Sequence, residues 1–368
     1  MDHTASMIDQ LRELVRAESP SASPPHLERC ADLLAGWGES VLGRPPTRIV
    51  RDGHPHLLWA AREQRVLLLG HYDTVWPAGT VADWPFQVDN GVATGPGVCD
   101  MKAGIVQMLS ALRRLPDPSH VGLLLTADEE IGSATSRPIV EEQARRSGAV
   151  LVGEPATPDG HLKIARKGGS AYRLEVHGRA AHAGVEPHRG VNATVEVAHQ
   201  VIALARLASP PDGTSVTPTV LASGTTSNTV PERAHLAVDV RAWTGAELRR
   251  VDAAIRRSRP RLAGATLTVH GGVNRYPMAE ETARLLFDLV RHAARERGLP
   301  VPEGVHASGA SDGNFTSALG VPTLDGLGAV GGGSHARDEY VVVDRMPERA
   351  GLLAAAVEKL TLVPAGAR

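Results

Sequence analysis

The stretch RVLLLGHYD, residues 65–73, decides the fold. After Arg65 come four apolar residues, Val66 to Leu69, with no polar alternation, so both faces of the segment must be covered. A glycine ends the run, and His71 and Asp73 follow at once. Strands buried on both faces belong to sheets with parallel pairing, and the residues just past their carboxyl ends line the ligand crevice. Two more segments read the same way: Val121–Thr126, followed by Asp128, Glu129 and Glu130, and Ala149–Val152, followed by Gly153, Glu154 and Pro155. Three strand ends thus deliver a histidine and several carboxylates to one place.

Outward from these strands, helical spacing at Met7–Arg16, His26–Gly36, Gly104–Leu115 and Ser136–Arg146 alternates with strand-like runs at Thr47–Arg51 and His56–Ala61. The alternation predicts an α/β class with a mostly parallel sheet flanked by helices. From about Gly168 the pattern changes. Alternating strands (Ala171–His177, Val216–Ala222, Ala234–Arg241, Thr266–His270) surround two amphipathic helices, Val191–Leu207 and Ala246–Ser258, in the order β-α-β-β-α-β. That order predicts a small α+β, ferredoxin-like domain with an antiparallel sheet. Helices at Glu281–Arg297 and Pro347–Leu360 then resume the first style. The expected organisation is a discontinuous catalytic domain, residues 1–168 and 278–368, interrupted by an inserted domain at 169–277. The short tail after Val363 is expected to fray.

Length and composition narrow the function. The 368 residues are 42% hydrophobic and only 3% aromatic, so the core is built from Val, Leu, Ile and Ala. Net charge is −2 with acids and bases interspersed, which excludes a phosphate-tracking surface and with it nucleic acid. The opening MDHTASMIDQLRELVR lacks the basic and apolar regions of a signal peptide, and no apolar stretch approaches the ~20 residues that span a bilayer. A cytoplasmic protein is expected, with no membrane partner. Cys30 and Cys99 read as small buried hydrophobes rather than a disulfide.

A histidine or carboxylate at the end of a buried run costs several kcal/mol unless it is paired or bound to metal. The same placement recurs in GPGVCDMKAG, residues 95–104, and in GGGSHARDEYV, residues 331–341. Zinc takes imidazole nitrogen and carboxylate oxygen, and a catalytic site keeps one position for water. Two ions about 3.5–4 Å apart need a bridging carboxylate, terminal ligands on each side and a nearby base. Asp100, presented from a glycine-rich turn, suits the bridge. Adjacent Glu129 and Glu130 point in different directions from an extended backbone, so one can bind metal while the other faces substrate. Asp100, Glu130, Glu154 and a hydroxide carry four negative charges, which two zinc ions balance.

In combination, GHYDTV, GPGVCDMKAG, TADEEIGS, GEP, GRAAHAG and GGGSHARDEYV make the chain similar, from about Ile8 to Leu360, to the di-zinc exopeptidase family. That family includes glutamate carboxypeptidase, aminoacylase, acetylornithine deacetylase and succinyl-diaminopimelate desuccinylase; the chain most resembles the glutamate carboxypeptidase branch. The resemblance implies two Zn2+ per subunit, with Co2+ or Mn2+ as possible substitutes. His71 and Glu154 would hold one ion, Glu130 and His335 the other, and Asp100 would bridge them. Asp73 would orient His71 through its second nitrogen, and Glu129 would be the general base. A cis peptide is expected at Asp100–Met101.

The inserted domain then becomes a lid and dimerisation domain. His182 would steady the oxyanion in a neighbouring subunit, making the active unit a homodimer. Asn228, Arg241 and Arg275, with Gly309, would bind a substrate α-carboxylate, for which a planar guanidinium is suited.

The expected activity is metal-dependent hydrolysis of an amide or peptide bond to an amino acid with a free α-carboxylate, on an N-acyl amino acid or short peptide. Two alternatives stand beside it: an N-acyl-amino-acid deacylase or desuccinylase, and a protein that binds such conjugates without cleaving them. Each residue also has a plainer reading. His71 could be a satisfied core histidine, Glu129 and Glu130 an exposed turn pair, Glu154 a capping acid, His335 a loop cap and Arg241 a solvent-facing strand residue. Lys102 reads as a structural lysine pairing with nearby acids, and His54, His56, His120, His161 and His292 as surface or packing residues.

Overall fold

The computed structural model describes residues 3–362 of the chain, so the tail after Val363 lies outside the described residues. By internal contacts the chain divides into two compact units: residues 1–165, 278–307 and 311–368, and residues 166–277 with 308–310. The first division falls three residues before the boundary read at 168/169, because the strand that opens the second unit already starts at Gly168. Residues 308–310 join the second unit, where Arg166 Nη1 donates to the Gly309 carbonyl at 3.0 Å.

The first unit is built on a six-stranded sheet in the order Thr47–Arg51, His54–Trp59, Val121–Thr126, Val66–His71, Ala149–Val152, Thr323–Leu324. Val66–His71 pairs in parallel with both of its neighbours, as its unbroken apolar run requires. The sheet is mixed but mostly parallel, as expected: three of its pairings are parallel and two, at one edge, are antiparallel. Asp52 and Gly53 both have positive φ, so Thr47–Arg51 turns back tightly as a hairpin onto His54–Trp59. His54–Trp59 in turn runs antiparallel to Val121–Thr126.

Helices cover both faces. Val66 and Leu68 point into a core with Leu11, Leu27, Val106, Leu109 and Leu353, whereas Leu67 and Leu69 point into a smaller one with Ile139, Val140 and Phe315. Alternation along one strand thus feeds two cores, the period-two rule applied to a strand with no exposed face. The helix Ala103–Arg114 packs so closely that a Cβ on Gly104 would lie 2.0 Å from the Gly153 carbonyl oxygen, one residue before Glu154. Gly104→Ala is therefore expected to cost about 1–3 kcal/mol or more by overpacking. Gly36→Ala, in a helix with nothing within 4 Å of the new methyl, is expected to add ~0.5–1 kcal/mol. Thermal melts of the two variants should move in opposite directions; equal shifts would contradict this packing.

A second, small sheet of the first unit had no strong sequence signal. Tyr340–Val342 pairs with Gly331–Gly332 on one side and Val92–Thr94 on the other. This fixes the loop containing His335 beside the chain that leads into Asp100.

The second unit has a four-stranded antiparallel sheet, in the order Ser215–Ser223, Arg233–Ala242, Gly168–His177, Thr266–Arg275. With helices Ala193–Ala205 and Gly245–Arg256 the chain order is β-α-β-β-α-β. One face is dry, with Leu174, Val176, Leu236, Val238 and Val240 packed on Val197, Leu248 and Val251. Two helix starts are capped by side chains, Asn192 on Thr194 and Val195, and Thr244 on Glu247.

Candidate metal centre

Each candidate ligand of the first unit leaves the end of an element whose local sequence fixes it. His71 is the last residue of its strand, 1% exposed, with Nδ1 3.1 Å from the Asp73 carbonyl and 3.4 Å from Asp73 Oδ1. The nearer acceptor is thus the backbone oxygen of Asp73 rather than its carboxylate. That carboxylate has other work: it accepts the Glu129 and Glu130 N–H groups at 3.2 Å each and the Ser21 hydroxyl at 2.7 Å. Asp73 therefore holds the His71 ring with one group and the Glu129–Ile131 turn with another.

Asp128 and Asp312 secure the same turn from beneath. Asp128 accepts the Thr135 N–H at 2.7 Å and its hydroxyl at 2.8 Å, and Asp312 accepts the hydroxyls of Ser133 and Thr126. His56, read as surface or packing, is fully buried and accepts the Ala127 N–H at 3.2 Å. Lys102 was expected to pair with acids. Its buried ammonium instead donates to the Leu14 carbonyl at 2.9 Å, and burial lowers its pKa.

Asp100 stands in a tight turn, and the Asp100–Met101 peptide is cis. Its two carboxylate oxygens face different imidazoles: Oδ1 lies 3.3 Å from His71 Nε2, and Oδ2 lies 3.6 Å from His335 Nε2. Glu154 Oε1 is 3.4 Å from His71 Nε2, and Glu130 Oε2 is 3.0 Å from His335 Nε2. Two groups result, His71 with Asp100 and Glu154, and Asp100 with Glu130 and His335, each with all its donor atoms within 4.8 Å of one another. Glu129 belongs to neither.

The donor set fits a cation. The buried His71 Nε2 has no hydrogen bond of acceptable geometry, although two carboxylate oxygens stand near it. Atoms bound at about 2.0–2.2 Å around a tetrahedral ion lie roughly 3.3–3.5 Å apart, close to the separations found. Without an ion, protons must supply the positive charge. Burial would push the His71 imidazole down, but Asp100, Asp73 and Glu154 outweigh it and hold the ring well above its usual pKa. The bond to Glu130 carries His335 up to about 9 against partial burial. Burial opposes ionisation of Asp100, yet His71 and His335 hold its carboxyl below the usual range. Burial raises that of Glu130 despite its bond to His335.

In the sequence Glu339 fits the family pattern that follows His335, but no role attaches to it there. It is fully buried, and its carboxylate accepts the backbone N–H groups of Gly97, Cys99 and Asp100 at 2.8–2.9 Å. Its sequence signal is an acid four residues beyond His335, immediately before the strand Tyr340–Val342. Burial pushes its carboxyl up to about 7, although these N–H groups oppose the shift.

The remaining candidates lie in the second unit. His182 is exposed, and its Nδ1 accepts the N–H groups of Gly184 and Val185 at 3.1 and 3.2 Å. The ring proton is thereby assigned to Nε2, which becomes the free donor. Ala183 donates to the Asn228 carbonyl at 2.8 Å, so His182 and Asn228 share one neighbourhood. Arg241 and Arg275 both stand opposite Gly169 in the ladder. Arg241 is already engaged by Asp239 at 2.9 Å, whereas Arg275 is buried to 8% exposure. Gly309 offers its carbonyl to Arg166.

Fold and donor cluster together define an α/β metallohydrolase. The sequence pattern of Peptidase family M20/M25/M40 matches residues 67–359, and the chain belongs to that family. It is a metallopeptidase or amidohydrolase. Carboxypeptidase G2 of Pseudomonas sp. (strain RS-16) is 27% identical, covering 95% of this chain and 88% of that protein. Succinyl-diaminopimelate desuccinylase of Paracoccus denitrificans is 29% identical over 92% of this chain and 98% of its own length. In fold, the M20 family metallo-carboxypeptidase Sso-CP2 of Sulfolobus solfataricus superposes with a TM-score of 0.75 at 16% identity, covering 99% of this chain and all of that one. No helix among the described residues is long and apolar enough to cross a membrane.

Proposed function

We propose that the protein is a carboxypeptidase-type exopeptidase: it hydrolyses the amide bond between an acyl or peptidyl group and an amino acid with a free α-carboxylate. The observation that carries this reading is the split of Asp100, one oxygen toward each imidazole. His71 and Glu154 would hold one ion, Glu130 and His335 the other, and Asp100 would be shared. Zinc is the metal best matched to this donor set, with cobalt or manganese as substitutes. Bound there, the pair supplies Lewis acidity and a water nucleophilic near neutral pH.

The chain's own groups do the rest. Asp73 keeps the His71 ring turned and accepts the backbone N–H of Glu129, which is in neither donor group. Glu129 takes a proton from the attacking water and returns it to the leaving nitrogen. Residues 169–277 serve as lid and dimerisation domain. Nε2–H of the partner's His182 donates to the oxyanion, a role that the assigned tautomer permits. Asn228, Arg275, Gly309 and Arg241 receive the substrate carboxylate, Arg241 by exchanging Asp239 for it. Two unpaired cysteines, Cys30 and Cys99, accord with a cytoplasmic enzyme.

A second reading, deacylation or desuccinylation of an N-acyl amino acid, is favoured by the desuccinylase relative. Zinc-loaded enzyme assayed on dipeptides, N-acyl and N-succinyl amino acids and folate-like conjugates separates the two by the ranking of kcat/KM. Chelator-reversible hydrolysis is expected; its absence on every substrate with both ions bound leaves only a binding protein. The dimer is tested by mixing His182→Ala and Glu129→Gln subunits. Each parent should be nearly inactive, and the equilibrated equimolar mixture should recover up to about a quarter of wild-type activity, since about half of the dimers are hybrids and one of the two sites in each keeps both groups. No recovery after verified subunit exchange would refute action across the dimer.

A further inference from the structure

Glu339 collects four donors on two oxygens. Oε1 accepts Cys99 N–H at 2.8 Å and Asp100 N–H at 2.9 Å, while Oε2 accepts Gly97 N–H at 2.9 Å and the Trp76 indole N–H at 3.2 Å. These donors come from separate parts of the chain. Trp76 lies in the loop that leaves the His71 strand, and Gly97 to Asp100 form the turn that ends in the shared carboxylate. Glu339 itself follows His335 by four residues and immediately precedes the strand Tyr340–Val342, which pairs with Val92–Thr94.

One buried side chain therefore ties together the segments that present His71, Asp100 and His335. A water-filled loop would let Asp100 rotate, and its two oxygens could then swing onto a single imidazole. With its own N–H and that of Cys99 pinned to one oxygen, the residue can turn only at its side-chain torsions.

We propose that Glu339 is a positioning residue for the metal pair: its carboxylate, acting through the backbone of residues 97–100, keeps Asp100 aimed at both ion positions at once. This rests on the assignment of Asp100 as the shared ligand. The group required is a carboxylate, because all four contacts are donors and only two oxygens with several lone pairs can take them. An amide of the same shape would turn NH2 toward two of those donors.

The test is titration of metal-free, full-length protein with cobalt(II). Three quantities are followed: ion content, the visible d–d absorption, and the magnetic coupling that two cobalt ions show only through a common bridge. Wild type should bind two coupled ions. Glu339→Gln should weaken binding by about 10–100-fold and lose the coupling, with circular dichroism showing a folded chain. Trp76→Phe, which removes one donor and leaves the three backbone bonds, should stay within about threefold of wild type and keep the coupling.

A Glu339→Gln protein that melts lower but binds two coupled cobalt ions with wild-type affinity overturns the proposal, since a merely structural contact would do just that. If Glu339→Gln does not fold, Glu339→Asp decides. Its retracted carboxylate keeps the charge, and retained coupling there is equally fatal. The underlying ligand assignment fails separately and visibly, if Asp100→Asn binds two coupled ions as wild type does.

Discussion

Glu129→Gln is expected to bind two ions as tightly as wild type and to lower kcat by about 10²–10⁴, the range that general acid–base catalysis supplies. The substitution is close to isosteric, and the backbone contact that places the residue, Glu129 N–H to Asp73 Oδ1 at 3.2 Å, survives it. The neighbouring Glu130 keeps its own N–H on Asp73 and its carboxylate on His335. What changes is only the capacity to take a proton. KM should move little, because Glu129 is not assigned to the substrate carboxylate. Metal analysis and steady-state kinetics on the same preparation check both halves. A wild-type rate would remove Glu129 from the mechanism, and loss of one ion would mean that it is a ligand.

Much of this site could be read from the sequence because metal chemistry needs residue types that buried strands otherwise avoid. His71, Glu130 and Glu154 announce themselves by following uninterrupted apolar runs, and the same runs place them at one edge of the sheet. Helix and strand periods located nearly every large element to within a few residues. What escaped was carried by backbone geometry. Asp52 and Gly53 turn the first two strands antiparallel, and the Gly331–Val342 hairpin forms through pairings of two or three residues too short to show a period. The helix read as His26–Gly36 continues to Leu42 because Gly38 lets it lie on Trp59, a contact only the fold reveals. The partners of Glu339 and Lys102 were opaque for the same reason: apart from the Trp76 indole they are backbone N–H and C=O groups, which sequence does not distinguish.

Asp100→Ala is expected to be the most damaging single change, because both donor groups include Asp100. Removing it leaves His71 with Glu154 and His335 with Glu130, two donors each, fewer than the three protein ligands usual at a catalytic zinc. Ion content should fall from two to less than one per chain at micromolar free zinc, and activity should fall by at least the factor expected for Glu129→Gln. The thermal response gives an independent measure. Ligand that binds only the folded state adds about 4 kcal/mol at a thousandfold excess over Kd. Wild-type protein should therefore melt several degrees higher with zinc than with chelator, and the Asp100→Ala variant should show almost no difference. Part of the metal-free stability is also forfeited, since the Asp100 carboxyl is held below its usual pKa by His71 and His335 and that pairing disappears. The zinc-dependent increment, rather than the absolute midpoint, is accordingly the diagnostic quantity. A variant that retained the full increment would show that the two ions, or one alone, are held without the shared carboxylate.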